Sequence, residues 1–367
     1  MRSEPGTAPH AHTAQTPAPT PAPTPGPAAW LRRRLGRTVV VSYAVAALLP
    51  GPGLWLRRPH TLPLGDTARL PLHSAPLLLA LVLFSAGLQV PAQALGRLLR
   101  HPRTLLAGLT LHLAVPLLVV PALAFVLHRT PDSDGGSGLI TAMILIVAMP
   151  VAAGATVWTG KGDGDQPTMV GLVLASTLLS PLAVPLTMRA LAPLVDQEYA
   201  DHLGRAASTA GGAVTLGGVV LPCAAGVLCR LVLPPARLAR TLAVVVPTAL
   251  VGSLLLTYVN ASGAFSSFLT HPRPLLLAAA LAVATLVCLT SFALGRCAAR
   301  LLRLDTDAAS SLTLACGMSN SSASAVLIST TLPDKPHLLL PVLAYGLLQK
   351  TAANHVVGGR AARRLSR

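Results

Sequence analysis

Ser319, Asn320, Ser321, Ser322 and Ser324 crowd together, with Gly317 just ahead of them, in a stretch that is otherwise apolar: Leu312 and Leu314 precede it and Val326 to Ile328 follow. Hydroxyl and amide oxygens are ligands for a hard cation and hydrogen-bonding partners for a polar solute. They do not belong on a lipid-facing helix, because a bare polar group in hydrocarbon costs on the order of several kcal/mol. Irregular or polar backbone survives at membrane depth only where protein or a water-filled cavity surrounds it. The stretch therefore reads as an interrupted helix lining a central site. A second interruption is written at Pro150 and Gly154, followed by Thr156 and the turn Gly160–Asp165. Proline removes a backbone donor and disfavours helix at the residue before it. His112 and Gln349 are further polar side chains inside apolar runs.

The elements that must hold these residues are membrane helices. Hydrophobic residues make up 52% of the 367-residue chain and charged residues 11%, against about a quarter charged in a soluble domain. The composition implies an all-α integral membrane protein. The net charge of +16 does not imply nucleic-acid binding, because Lys and Arg fall in short clusters between apolar runs and aromatic residues are only 3%. The five cysteines show neither metal-ligand spacing nor a disulfide framework. Residues 1–30 form a Pro/Ala/Thr-rich arm expected to be disordered and without a signal-peptide core, and residues 360–367 a basic tail.

Apolar runs of about 20 residues place ten spans at 38–56, 74–95, 104–127, 138–160, 168–194, 209–230, 238–259, 274–299, 308–330 and 337–358, a transporter domain of 31–359. Pro50-Gly-Pro52 kinks or shortens the first. With the N-terminus cytoplasmic, the basic clusters at Arg32–Arg37, Arg97–Arg103, Arg230–Arg240, Arg296–Arg303 and Arg360–Arg367 all fall inside and outnumber those outside. Both termini are thus expected in the cytoplasm, with the chain in the cell membrane. The two interruptions fall in spans four and nine. Five is odd, so a five-plus-five repeat (38–194 and 209–358) must be inverted, and paired interruptions in two halves are a pointer to a transport site near the midplane. Small-residue helix packing is the alternative reading of either interruption.

The order of motifs resembles the bile acid:sodium symporter family. Phe84-Ser-Ala-Gly-Leu88 is similar to its Phe-x-x-Gly-Leu; Pro150 to Asp165 followed by Ser176-Thr-Leu-Leu-Ser-Pro181 resembles its Pro-Gly-Gly…Gly-Asp…Ser-Thr-Leu-x-x-Pro signature. His112 to Pro116, Gly317-Met-Ser-Asn-Ser321 and Gln349 fall where the family has a polar-then-Pro segment, Gly-Met-Gln-Asn-Ser and Trp-Gln-Asn. The resemblance runs from about residue 35 to 358. It implies ten helices in two inverted five-helix repeats, a panel and a core domain flanking a cleft, and broken, crossing helices four and nine. It also implies a transporter of bile acids or small carboxylates, usually coupled to two sodium ions.

The sequence departs from the family where the ions would bind. The family's Glu two residues before Gly-Met-Gln-Asn falls on Ala315, its Gln on Ser319, its Ser-Asn pair on Ala155 and Thr156, its helix-five hydroxyls on Met169 and Val173, and its helix-three Gln on Leu111. Thr156, Ser319 and Asn320 are the residual sodium-site positions, so sodium is the one cofactor in question and the family-type sites are expected to be degraded. Thr156, Ser319, Asn320, Ser321, Gln349 and His112 are the expected substrate contacts. His112 reads either as a proton-coupling group or as a helix histidine bonded to a neighbour. Lys350 either faces an anionic substrate or snorkels to the cytoplasmic side. Gly160–Asp165 lacks the phosphate-loop pattern, and neither His-Glu-x-x-His nor Gly-x-Ser-x-Gly is present, so no enzyme is expected. The expected activity is alternating-access transport of a small organic anion or amphipathic carboxylate. The alternatives are a sodium-independent or proton-coupled carrier, or a sensor or scaffold that binds without turnover.

Overall fold

The computed structural model describes residues 34–64, 68–90, 102–129, 136–162, 164–212, 216–270 and 272–365. The expected arm 1–30, the far end of the expected span 74–95 and the last two residues of the tail lie outside the described residues.

The chain is built from α-helices, with one small exception. Helix α1 (Leu35–Leu48) meets α2 (Pro50–Arg57) at an angle of 91°. Leu49 precedes a proline and is pushed out of the helical region to φ −132, ψ 67, while Pro50 starts the next helix, where its missing N–H costs nothing. The kink expected from Pro50-Gly-Pro52 is thus a full corner. Strands β1 (His60–Leu64) and β2 (Ala68–Leu72) then pair antiparallel, His60 opposite Leu72 and Leu64 opposite Ala68. This short ribbon is a small addition to a chain that is otherwise all-α, as expected.

Helix α3 (Ser74–Leu88) is followed by α4 (Pro102–Leu127), α5 (Ser137–Val147), α6 (Ala155–Lys161), α7 (Gln166–Leu191), α8 (Gln197–Gly211) and α9 (Leu221–Val232). Then come α10 (Pro235–Thr270), α11 (Pro274–Leu301), α12 (Thr306–Gly317), α13 (Ser321–Thr331) and α14 (Leu339–Leu365). Among the described residues, α4, α7, α10 and α11 are each long and apolar enough to cross a bilayer, and the bent pairs α1–α2 and α8–α9 pass the same test together. The expected span 209–230 covers the end of α8 and a second helix that opens with a π turn at Leu216–Val220 and continues as α9; the helices Gln197–Gly211 and Leu216–Val232 are bent by 52°.

Two sets of helices pack among themselves. In one, α10 lies against α1, α2 and α3, and α3 crosses α9. The α3–α9 crossing is close because it is glycine on glycine: a Cβ on Gly87 would strike the Cys223 carbonyl, and one on Gly226 the Phe84 carbonyl. In the other set, α11 packs on α12 and α14, and α4 packs on α7, α11 and α12. Helix α5 runs through the middle of this second set and is buried from Leu139 to Val147, which is why it is apolar on every side. Exposed leucines such as Leu182, Leu186, Leu228 and Leu275 cover the outside. An apolar coat over an apolar core suits lipid as the solvent.

Candidate functional site

The two interruptions meet. After α5 ends, Pro150–Ala152 runs extended and Ala153–Gly154 turn into α6; after α12 ends, Met318–Asn320 runs extended before α13. Val151 and Ser319 pair as an antiparallel bridge. The Ala152 N–H donates to the Met318 carbonyl at 2.8 Å, and the Asn320 N–H donates to the Pro150 carbonyl at 2.9 Å. Each break thus satisfies backbone groups that the other leaves exposed, as buried backbone requires. Pro150 has no donor to lose, and its carbonyl is the one used.

Side chains from neighbouring helices complete the crossing. Ser176 Oγ on α7 accepts from the Val151 N–H at 3.1 Å, and Tyr345 Oη on α14 donates to the Gly317 carbonyl at 3.2 Å. Gly317 itself lies against the Phe292 ring of α11, where any Cβ would collide. Asn320 Oδ1 accepts from the Ala323 N–H at 3.1 Å, so Asn320 is the N-cap of α13. At the far ends, Asp305 caps α12 and Asp165 caps α7.

Four of the expected site residues lie together. Ser319 and Asn320 form the second break, Ser321 opens α13, and Gln349 Nε2 donates to Ser321 Oγ at 3.3 Å. Ser319, Asn320 and Gln349 are all more than nine-tenths buried, and Gln349 Oε1 has no hydrogen-bond partner. His112 comes to the first break: its Nε2 lies 3.1 Å from the Met149 carbonyl. Thr156 stands one residue into α6, its hydroxyl donating to the Ala153 carbonyl at 2.8 Å and its own carbonyl accepting from Gln166 at 3.0 Å. No bond links it to the other five. Lys350 is half-buried, with no hydrogen bond or ion pair among the described residues. Asn260, in a sequon-like triplet, is buried inside α10 and offers nothing to modify.

A cleft of about 90 Å³ reaches the crossing from one side. Leu79 of α3 forms one wall; Val184 and Ser180 of α7 and Val326 and Thr330 of α13 form the others, and Met149 and Pro150 form its floor. Its lining is mainly apolar, as in most small-molecule sites. Past Thr209 and Thr330 it continues into a wider mouth that carries Asp201 and Arg205. A second, smaller space holds His112, Ser176 and Ser180 and shares Pro150, Ser180 and Val184 with the cleft.

Ser176, Ser180 and Tyr345 are not among the expected site residues, although Ser176 and Ser180 belong to the Ser176–Pro181 motif. Ser176 and Ser180 are one turn apart on an apolar helix ahead of Pro181, the same polar-in-apolar signal that marks the second break. Tyr345 gives no such signal, since a tyrosine in an apolar helix is ordinary.

Residues 76–271, from α3 through α10, match the family model described as Sodium Bile acid symporter family. An uncharacterized protein of Bacillus subtilis (strain 168), YbaS, is 25% identical over 281 residues, covering 76% of this chain and 86% of its own length. The matched segment contains the first break, Ser176 and Ser180. With the apolar helices and the fold around that break, it identifies a multi-pass membrane transporter, not an enzyme, and the chain belongs to the Sodium Bile acid symporter family.

Proposed function

We propose that the chain is a secondary transporter for a small organic anion or amphipathic carboxylate, working by alternating access without the family-type sodium sites. The observation that carries this reading is a mainly apolar cleft lined by Met149 and Pro150 of the first break and by Ala323 in the first turn of α13. An apolar body would lie against Leu79, Val184 and Val326, while Ala323, in the first turn of α13, also lines the cleft and brings the positive end of that helix to an acidic head. Ser319, Asn320, Ser321 and Gln349, which lie beyond the lining of the cleft at the second break, are the polar contacts we assign to the substrate; His112 lies at the first break and Thr156 at the start of α6.

The ten-span, inverted five-helix arrangement (38–194 and 209–358) is part of the proposal. In it, α1–α3, α9 and α10 form the panel and the remaining helices the core. Rocking of one against the other would open the cleft to each side in turn. Both termini would lie in the cytoplasm and the chain in the cell membrane.

The donor set does not fit a sodium shell. A hard cation asks for several converging oxygens, with carboxylate to balance its charge. Here Ala315 offers a methyl group, the Thr156 hydroxyl is turned back to Ala153, and Asn320 Oδ1 is engaged as a cap. Among the described residues no Asp or Glu lies at the crossing, and no three acidic, histidine or cysteine groups cluster. We therefore route no step through sodium.

The test is uptake of radiolabelled cholate, taurocholate and short carboxylates into proteoliposomes, with an inward sodium gradient or with choline in its place. Saturable uptake equal in both media is the expected result. Uptake that follows the sodium gradient sinks the sodium-independent part of the reading, and ligands that bind but never cross sink transport itself.

A further inference from the structure

The small space beside the first break contains a titratable group that the proposed function does not use. His112 sits midway along α4, 5% exposed. A carbonyl oxygen only accepts, so the 3.1 Å contact from Nε2 to the Met149 carbonyl assigns the ring's proton to Nε2. Nδ1 is then the bare nitrogen, and it is buried with no hydrogen bond among the described residues. The backbone of Ala315, just ahead of the second break, also faces the ring. A neutral imidazole thus serves one carbonyl and leaves one nitrogen unused, whereas an imidazolium has two N–H donors for two backbone carbonyls, one from each broken segment.

The ring has a route to the cleft. The space it lines has room for about one water and shares Pro150, Ser180 and Val184 with the cleft. The surroundings supply no competing charge. Helix α5 carries no titratable residue; α7 carries Arg189 in its exposed last turn; α11 carries Cys288, Arg296, Cys297 and Arg300; α12 carries Asp307 and Cys316. None of these makes an ion pair or hydrogen bond with His112 among the described residues.

We propose that His112 is the coupling group of this transporter: it takes a proton at Nδ1 from the cleft by way of the Ser180 space, holds the two broken segments together as the imidazolium, and returns the proton on the other side. One proton would then move with one carboxylate, and the net charge carried is zero. This inference rests on the transport reading of the cleft.

The test has a ligand-free arm and a transport arm, both on the full chain in lipid. In nitrogen-15 histidine NMR in nanodiscs, one of the eleven imidazoles, the signal absent from His112→Gln, is expected to change protonation between about pH 5 and 8.5, and its midpoint to move when cholate is added. A His112 signal fixed in the neutral form throughout overturns the proposal. In proteoliposomes, an acidic exterior is expected to drive cholate uptake at least tenfold over equal pH. His112→Gln, whose amide still donates to Met149, should lose that drive, so that its cholate uptake no longer responds to external pH. Ser180→Val, which fills the connecting space, should weaken the drive while leaving the imidazole titratable. Gradient-driven uptake that survives in His112→Gln overturns the coupling role. Absence of cholate movement under any gradient, with the NMR titration intact, overturns transport and shows the two failures apart.

Discussion

The two breaks solve one problem in different ways. The second carries its own polar side chains: Asn320 caps α13 and Ser321 reaches Gln349. The first, from Ala148 to Gly154, has none before Thr156 and borrows them, Ser176 for the Val151 N–H and His112 for the Met149 carbonyl. A break that caps itself depends on its own residues. A break held by borrowed groups can be released when a neighbouring helix moves or a neighbouring side chain changes its proton count. The contrast makes the second break the better candidate for a fixed binding surface and the first for the part that responds.

That contrast can be broken most severely at Gly317. Replacing it with Val forces a side chain into the Phe292 ring, a strain of about 1–3 kcal/mol or more. We expect a large loss of folded protein in a detergent thermal-melt assay and partial recovery in Gly317→Val/Phe292→Ala. Ser176→Ala comes next. It strands the buried Val151 N–H, at a cost of about 1–3 kcal/mol, and should raise hydrogen exchange at residues 150–154 more than at 318–320. Asn320→Ala should do the reverse, loosening the start of α13 for about 1 kcal/mol, and Asn320→Asp should restore the cap. Thr156→Val is the smallest change, within about 0.5 kcal/mol, because its hydroxyl serves only its own helix start. A tenfold loss of cholate uptake in Thr156→Val would place Thr156 in the site after all.

Much of this was legible in the amino acids because membrane helices leave few excuses for polar residues. The cluster at Ser319–Ser324 had to be buried in protein, and Pro150 and Gly154 had to interrupt a helix. What escaped the sequence was the pairing. Nothing in Val151 or Ser319 says that they lie opposite one another, and Ser176 is found only by asking which side chain could reach a backbone N–H twenty-five residues away. Pro63 and Pro71 fit in the ribbon at 60–72 because every strand of a two-stranded sheet is an edge. The bend between α8 and α9 follows Gly211 and Gly212, a pair that lowers the cost of leaving the helix.

The central claim is that the crossing of the two breaks is built for an organic anion and not for sodium. Its most direct test needs no knowledge of the substrate. The melting temperature of the purified chain in lipid is measured in sodium chloride and in potassium or choline chloride at equal ionic strength. A ligand that binds only the folded state stabilises it by about RT ln(1 + [L]/Kd). The account predicts the same melting temperature in all three salts, and a rise with cholate in each. A rise specific to sodium, saturating as its concentration increases, would mean that carbonyls and hydroxyls at the crossing have assembled an ion site, and would contradict it.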